Sequence, residues 1–361
     1  MQESTLCISE NARKPRTTKS VLSRERLETI LAAFDSLRIG VIGDFSLDAY
    51  WYADMTRAEL SREAPLFVRP VVSEVYSPGG AANAAWNVAA LGAEAHALTL
   101  LGNDWRGAVL REVLDREGVR LFHAVSRADS VTPLFGKVFL TAHGLRQEDA
   151  RLDFVNPRPP TIDAEGALIA QAEVLCPSLD AMVVADYNTQ GVITPRVREA
   201  LVRLAAGHPF TTFVVDSRIR VDQYPGMVLK PNDIEAAAVL FPGEPAGSVS
   251  VDRLGEAGAE WQRAHGRPIF ITLGPQGCLA IADGEAVHLA GVPVPPPVDP
   301  VGAGDTFVAA LACSLAARAS PVEAGALANL AASVSVGKLH ITGTASPAEI
   351  LAAFDRVYGD Q

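Results

Sequence analysis

Short apolar runs recur along this chain and alternate with segments of helical period, and no other feature restricts its fold more. Arg38-Ile-Gly-Val-Ile-Gly43 ends in Gly-Asp, reading as a buried strand followed by a turn. Further runs lie at Ala97–Leu101, Lys137–Thr141, Ala181–Ala185, Thr211–Val215, Met227–Leu229 and Ile269–Leu273. Helical patterns fall between most of them, at Ala81–Leu91, Gly107–Glu117, Thr194–Ala206 and Val251–His265. Strands alternating with helices predict an α/β domain, a mainly parallel sheet flanked by helices on both faces.

Residues 1–20 are polar and read as a flexible leader, followed by an amphipathic helix over Val21–Phe34. One segment breaks the rhythm. About 49–76, with Tyr50, Trp51, Tyr52, Phe67 and Tyr76 among scattered charges, there is no helical period. It predicts a β-hairpin or small sheet projecting from the main domain as a lid. Pro-rich Val292–Pro300 is a linker into a helical end, Gly302–Tyr358.

Composition narrows the function. The net charge of −11 argues against nonspecific nucleic-acid binding, which needs phosphate-neutralising Lys and Arg. An anionic ligand would need its positive charge supplied locally. Cys7, Cys176, Cys278 and Cys313 form no C-x-x-C pair, which suits a reduced protein. No stretch has the apolar core of a signal peptide or the roughly 20 apolar residues of a membrane helix. The expectation is a soluble, cytoplasmic protein with no membrane partner.

The strongest chemical signal is Asp299-Pro-Val-Gly-Ala-Gly-Asp305, directly ahead of an uninterrupted helical run, Thr306–Arg318. Glycines at the start of a helix let backbone N–H groups converge on one point, and with the helix dipole they make an anion site. Asp305 reads in two ways. It either caps the first turn or accepts a proton beside that site. No G-x-x-x-x-G-K-[ST] run is present, and Phe307 stands where a dinucleotide fingerprint needs its third glycine. A carboxylate beside an anion hole suits phosphoryl transfer to a hydroxyl: the hole holds charge on the phosphoryl group while the carboxylate takes the hydroxyl proton.

Gly302-Ala-Gly-Asp305, together with Ser77-Pro-Gly-Gly-Ala-Ala-Asn83 some distance upstream, resembles the two signatures of the ribokinase-like (PfkB) carbohydrate kinases. The resemblance runs from about Arg38 to Phe354 with the motifs in the family's order. It implies a ribokinase-like fold, ATP and Mg²⁺, and a homodimer formed through the lid. It further implies Asp305 as catalytic base and Gly302, Ala303 and Gly304 as the backbone anion hole.

Asn232-Asp-Ile-Glu235 matches the family's N-x-x-E motif, whose Asn and Glu organise Mg²⁺ and the phosphates indirectly. The same residues also read as a capping box, with Lys230 just before them as a local cation. Thr272-Leu-Gly274-Pro-Gln-Gly277 resembles the nucleotide-side turn, and Asn329 matches a position near the adenine. Asp299 matches an acid that often coordinates a monovalent cation such as K⁺. Pro300-Val301 stands where many relatives have threonines, which leaves potassium dependence open.

On the substrate side, Gly43-Asp44-Phe-Ser-Leu-Asp48 resembles the motif whose last acid binds a sugar hydroxyl, making Asp48 the contact and Asp44 a turn cap. Gly79, Gly80 and Asn83 would approach the sugar, although Asn83 could equally cap the helix after it. Asp48-Ala-Tyr-Trp-Tyr52, Arg57, Arg62-Glu-Ala-Pro65, Arg151-Leu-Asp153 and Ala185-Asp186-Tyr187 most resemble the heptose-7-phosphate kinase branch, which phosphorylates an anomeric hydroxyl. A phosphorylated acceptor would call on Arg57, Arg62, Lys137 and Arg151, with Asp153 and Asp186 also on the substrate side. Some members of that branch carry a nucleotidyltransferase with an H-x-G-H motif. This chain has none, so the kinase step alone is expected. Two rivals remain: a kinase of a neutral sugar or nucleoside, and a non-catalytic sugar-phosphate or nucleotide sensor.

Overall fold

A computed structural model describes residues 15–339 and 342–359. Residues 1–14 of the expected leader, Cys7 among them, lie outside the described residues. From Pro15 onward the chain is placed: the Arg16 N–H donates to the His288 carbonyl at 2.8 Å, and Ala290 N–H donates to the Arg16 carbonyl at 2.9 Å. The helix expected over Val21–Phe34 is two helices, Thr18–Val21 and Arg24–Ala32. The break comes at Ser23, whose hydroxyl accepts the Arg26 N–H and so starts a new helix.

Eight strands form the main sheet, in the order Glu285–Leu289, Cys278–Ala282, Ile269–Thr272, Val228–Leu229, Thr212–Ser217, Ala181–Asp186, Arg38–Gly43 and Glu94–Leu98. The last six are mutually parallel, and the first two add an antiparallel hairpin at one edge. Both faces are covered, and the two-residue period of a strand sends neighbours to opposite sides. Val183 belongs to the core shared with the Ala81–Ala90, Ala303–Ala316 and Pro321–Val336 helices, and Val184 to the core shared with Ile162–Leu175, Pro195–Gly207 and Val251–His265. This is the expected mainly parallel α/β architecture. Cys176, Cys278 and Cys313 are free thiols inside it.

The lid is larger than 49–76. It is a four-stranded sheet in the order Val71–Gly80, Phe45–Asp54, Leu134–Ala142 and Leu145–Phe154. The run at Lys137–Thr141, expected in the main sheet, pairs in parallel with Tyr50–Asp54 of the lid. A short apolar run does not reveal which sheet it joins. The Ala97–Leu101 run also divides: Glu94–Leu98 joins the main sheet, while Leu100–Gly102 pairs with Val125–Arg127. Only Asp44 separates the core strand Arg38–Gly43 from the lid strand Phe45–Asp54, so the lid grows out of the sheet's carboxyl edge. Among the described residues, no helix is long and apolar enough to cross a membrane.

Candidate active site

Parallel α/β sheets gather functional groups at the carboxyl ends of their strands. Here those ends and the lid enclose a cleft of about 560 Å³. From the lid come Asp48, Tyr50, Phe135, Lys137, Arg151 and Asp153; from the core come Tyr187, Asp216, Arg218, Lys230, Asn232 and Glu235, with Gly302, Gly304 and Asp305 from the last helical layer.

Asp305 lies in the first turn of Ala303–Ala316, behind Gly302 in the left-handed conformation at φ 81°. A Cβ at Gly302 would come within 2.8 Å of Thr342 Cγ2 and 2.9 Å of Asn83 Nδ2, so glycine is required there for space as well as for torsion. Ala303 N–H donates to the Pro300 carbonyl at 3.2 Å and Thr306 N–H to Gly302. Of the expected Gly302–Gly304 amides, that of Ala303 is thus engaged with backbone, and the Gly304 and Asp305 N–H groups, in the helix's first turn, are orphan donors of that end. Lys230 Nζ stands 4.0 Å from where a Gly304 Cβ would be, adding a cation at that spot.

The Asp305 carboxylate is not a cap. It accepts from Asn83 Nδ2 at 2.8 Å and from the Tyr187 hydroxyl at 2.9 Å. Burial pushes it up to about 6, against the pull of the Asn83 hydrogen bond. Asp48 is pushed up to about 7, first by burial and then by the negative charge of Asp305. Burial works to lower Lys230, but Asp216 at 3.1 Å together with Glu235 and Asp305 outweighs it and raises the amine above its ordinary value. Asn232 and Glu235 form a reciprocal capping box at 2.8 Å each way, and Lys230 leads into it from the strand end. Thr272 bridges to Asn232, with its N–H on the Pro231 carbonyl. Gly274 opens the turn that follows. Gly277, at φ 93°, lies against the Leu289 carbonyl, on which Asn329 Nδ2 also converges at 3.4 Å. Of these four, the expected nucleotide-side residues, Thr272 abuts the cleft-lining Asn232, and none of them lines the cleft.

The substrate-side residues divide. Asp48, Gly80, Arg151 and Asp153 line the cleft, and Gly79 sits directly under Asp48, where a Cβ would fall 2.1 Å from its Oδ1. Asn83 is fully enclosed, three residues into a helix capped by Gly80, and its amide faces Asp305. Asp186 is also fully enclosed; it accepts from Arg220, from Ser217 at 3.0 Å and from Tyr224 at 2.7 Å. Arg57 is exposed in the short Met55–Arg57 turn past the far end of the lid strand, and neither it nor Arg62 lines the cleft. Asp44 caps backbone, as expected, taking N–H groups from Asn188 at 3.2 Å and Val192 at 2.6 Å. Asp299 accepts the Val301 N–H at 3.1 Å and lines a smaller adjoining cleft with Lys137 and Arg146.

Asp216, Arg218 and Thr342 are not among the residues expected at the site, and Tyr187 stands out only as part of the Ala185-Asp186-Tyr187 motif, with no role attached. Asp216 carries a legible signal, an acid immediately after an apolar strand, the same pattern as Asp44 and Asp186. The ring of Tyr187 lies under the Arg218 guanidinium at 5.4 Å, and Thr342 bonds Asp48 at 3.4 Å. Nothing in their local sequence marks those two contacts.

Comparison with known proteins agrees with this geometry. The description "pfkB family carbohydrate kinase" matches residues 46–349. The Bifunctional protein HldE of Halorhodospira halophila is 36% identical over 327 residues, covering 90% of this chain and 64% of that one. The HldE of a Caulobacter strain is 34% identical over 324 residues, covering 87% and 62%. The chain therefore spans less than two thirds of the length of both relatives. In fold it is similar to phosphofructokinase-2 from Escherichia coli in complex with potassium (TM-score 0.68, 20% identity, 89% of this chain and 99% of that one). It is also similar to Arabidopsis thaliana ribokinase complexed with ribose and ATP (TM-score 0.66, 18% identity, 88% and 98%). On the family match, the relatives and a carboxylate set at a glycine-led helix start, this chain belongs to the pfkB family of carbohydrate kinases.

Proposed function

We propose that this kinase transfers the γ-phosphate of ATP to a hydroxyl of a sugar phosphate, the anomeric hydroxyl of a heptose 7-phosphate. The observation that carries the reading is the meeting of Asp305 with Asp48, Lys137 and Arg151 in one cleft. Asp48 accepts hydrogen bonds from neighbouring sugar hydroxyls. Asp305 takes the proton of the attacking hydroxyl as the phosphoryl group moves onto its oxygen, a role worth about 10²–10⁴ in rate. The Gly304 and Asp305 amides and the Lys230 ammonium face the negative charge of the transferring group. Lys137 and Arg151 serve the phosphate the acceptor already bears.

Among the described residues there is no cluster of three or more His, Cys, Asp or Glu fit to hold a metal. Asn232 and Glu235, both lining the cleft, are the residues that would orient Mg²⁺, whose charge would offset the negative charge building up on the phosphates. Asp299 is the candidate for a monovalent ion, checked by comparing turnover in K⁺ and Na⁺. The lid leaves Leu66, Phe67, Val71, Val72 and Val75 exposed, which supports a homodimer through that face. Sedimentation of the wild type against Phe67→Glu tests it.

One observation favours a neutral acceptor instead: Arg151 already bonds Asp153 at 2.8 Å, and Arg57 is outside the cleft. An ATP-consumption screen over free and phosphorylated sugars, heptose 7-phosphate included, separates the two. A phosphorylated acceptor preferred by tenfold or more in kcat/KM, with KM raised by Lys137→Ala and Arg151→Ala, supports the proposal; equal use of free sugars overturns it.

A further inference from the structure

The Tyr187 hydroxyl lies between two carboxylates, 2.9 Å from Asp305 Oδ1 and 3.1 Å from Asp216 Oδ2. A phenol has one hydrogen to donate and lone pairs to accept with, whereas an ionised carboxylate can only accept. With both acids ionised, the single hydrogen satisfies one of them and presents an oxygen lone pair to the other. With Asp305 protonated the conflict disappears: Asp305 donates to the phenol oxygen, and the phenol hydrogen turns to Asp216. Asp216 is ion-paired on its other side, with the Lys230 ammonium 3.1 Å from the same Oδ2.

We propose that Tyr187 is a two-position hydrogen-bond switch for the base, pointing its hydrogen at Asp305 before proton uptake and at Asp216 afterwards. No covalent bond of Tyr187 breaks; the O–H rotates about the C–O axis, and the only proton that moves is the one Asp305 takes from the acceptor hydroxyl. The switch keeps Asp305 hydrogen-bonded in both protonation states, in a partly buried site where an unpaired polar group is costly.

The phenol is held for this task. Its ring is covered by Arg218, and the preceding residue, Asp186, is locked by Arg220, whose Nη2 also donates to the Asn188 carbonyl at 2.6 Å. The other charged groups facing Asp305 are Asp48 from the lid strand, Asp216 from the strand Thr212–Ser217 and Lys230 ahead of the Asp233–Leu240 helix.

The inference rests on Asp305 being the base, and its test needs no turnover. Infrared-monitored pH titration of ¹³C-aspartate-labelled protein, taken as the difference from Asp305→Asn, reads the Asp305 carboxyl without any acceptor. Tyr187→Phe removes a donor to the ionised form and should move the midpoint up by about one pH unit. Asp216→Asn keeps an amide oxygen towards Lys230 and the phenol, a neutral and weaker acceptor that biases the phenol hydrogen to Asp305, and should move the midpoint down. In the Tyr187→Phe background that downward shift should shrink by half or more. Either single variant carries a sign by itself if the other fails to fold. An unmoved midpoint in Tyr187→Phe, or an Asp216→Asn shift of equal size in both backgrounds, overturns the switch. Normal turnover in Asp305→Asn would instead overturn the role of the base, whatever the titration shows.

Discussion

Asp48 occupies a place where function and stability pull in opposite directions, and replacing it with Asn exposes both. Its carboxyl moves from 3.8 in the unfolded chain to about 7 in the fold, chiefly through burial and then through the charge of Asp305. Three units at about 1.36 kcal/mol each set a ceiling near 4 kcal/mol, and relaxation around the site brings the expected cost to about 2–4 kcal/mol. The sign follows from linkage. Because the folded value lies above the unfolded one, the folded state holds the extra proton between about pH 4 and 7, so stability falls as pH rises through that window. Asp48→Asn, which removes the charge, should therefore raise the Tm of the unliganded protein at pH 8 by roughly 3–5 °C. The gain should fade towards pH 4. Calorimetric melts of both proteins at pH 8, 6 and 4.5 measure it, and in the same variant the KM for the acceptor should rise tenfold or more, since a hydrogen bond to a charged acceptor is lost. A Tm gain independent of pH, or a loss at pH 8, would refute the argument.

Asp305→Asn should lower kcat by about 10²–10⁴ while leaving ATP binding intact, compared by steady-state kinetics and nucleotide titration. In the wild type, kcat/KM should fall about tenfold per pH unit once pH drops below the Asp48 midpoint of about 7, and about a hundredfold per unit below the Asp305 midpoint of about 6, as the two acids titrate together. A single-slope acid limb would contradict this. Gly302→Ala should cost about 1–2 kcal/mol of stability from the left-handed torsion alone. It should also cut kcat by pushing Asn83 off Asp305, which Asn83→Ala should reproduce in kcat but not in backbone strain. Arg220→Ala strands Asp186 as an unpaired buried charge and should cost about 3–5 kcal/mol in denaturant melts.

Much of the molecule is legible in its sequence because strand runs and helix starts are local events. The capping box at Asn232 and Glu235 needs only the spacing of two side chains, and the glycine-led start of the Ala303–Ala316 helix needs only its torsion. The family resemblance pointed to Asp305 and Asp48 for the same reason, since each belongs to a contiguous motif. What failed was non-local. The lid's second hairpin, Leu134–Phe154, has the composition of any two-stranded run, and its placement depends on pairing with a strand far away in sequence. Asn83 does not cap its helix, whose cap is Gly80, and its bond to a carboxylate 222 positions further on is equally invisible to local sequence. Asp186 sits in a motif beside Tyr187, yet the strand's alternation turns it inward to Arg220 and leaves Tyr187 at the cleft.

The lid hairpin has a consequence for how such an enzyme diversifies. Phe135, Lys137, Arg151 and Asp153 all reach the cleft from one uninterrupted stretch, Leu134–Phe154, whereas Lys230, Asn232 and Glu235 follow the carboxyl end of the main-sheet strand Val228–Leu229. Exchanging that single segment re-cuts one wall of the chamber while the phosphate-facing wall stays as it was. With the acceptor on that wall, as proposed, acceptor preference is in this sense portable: it can be grafted, or can drift, as a cassette joined at two points, without retuning the opposite wall.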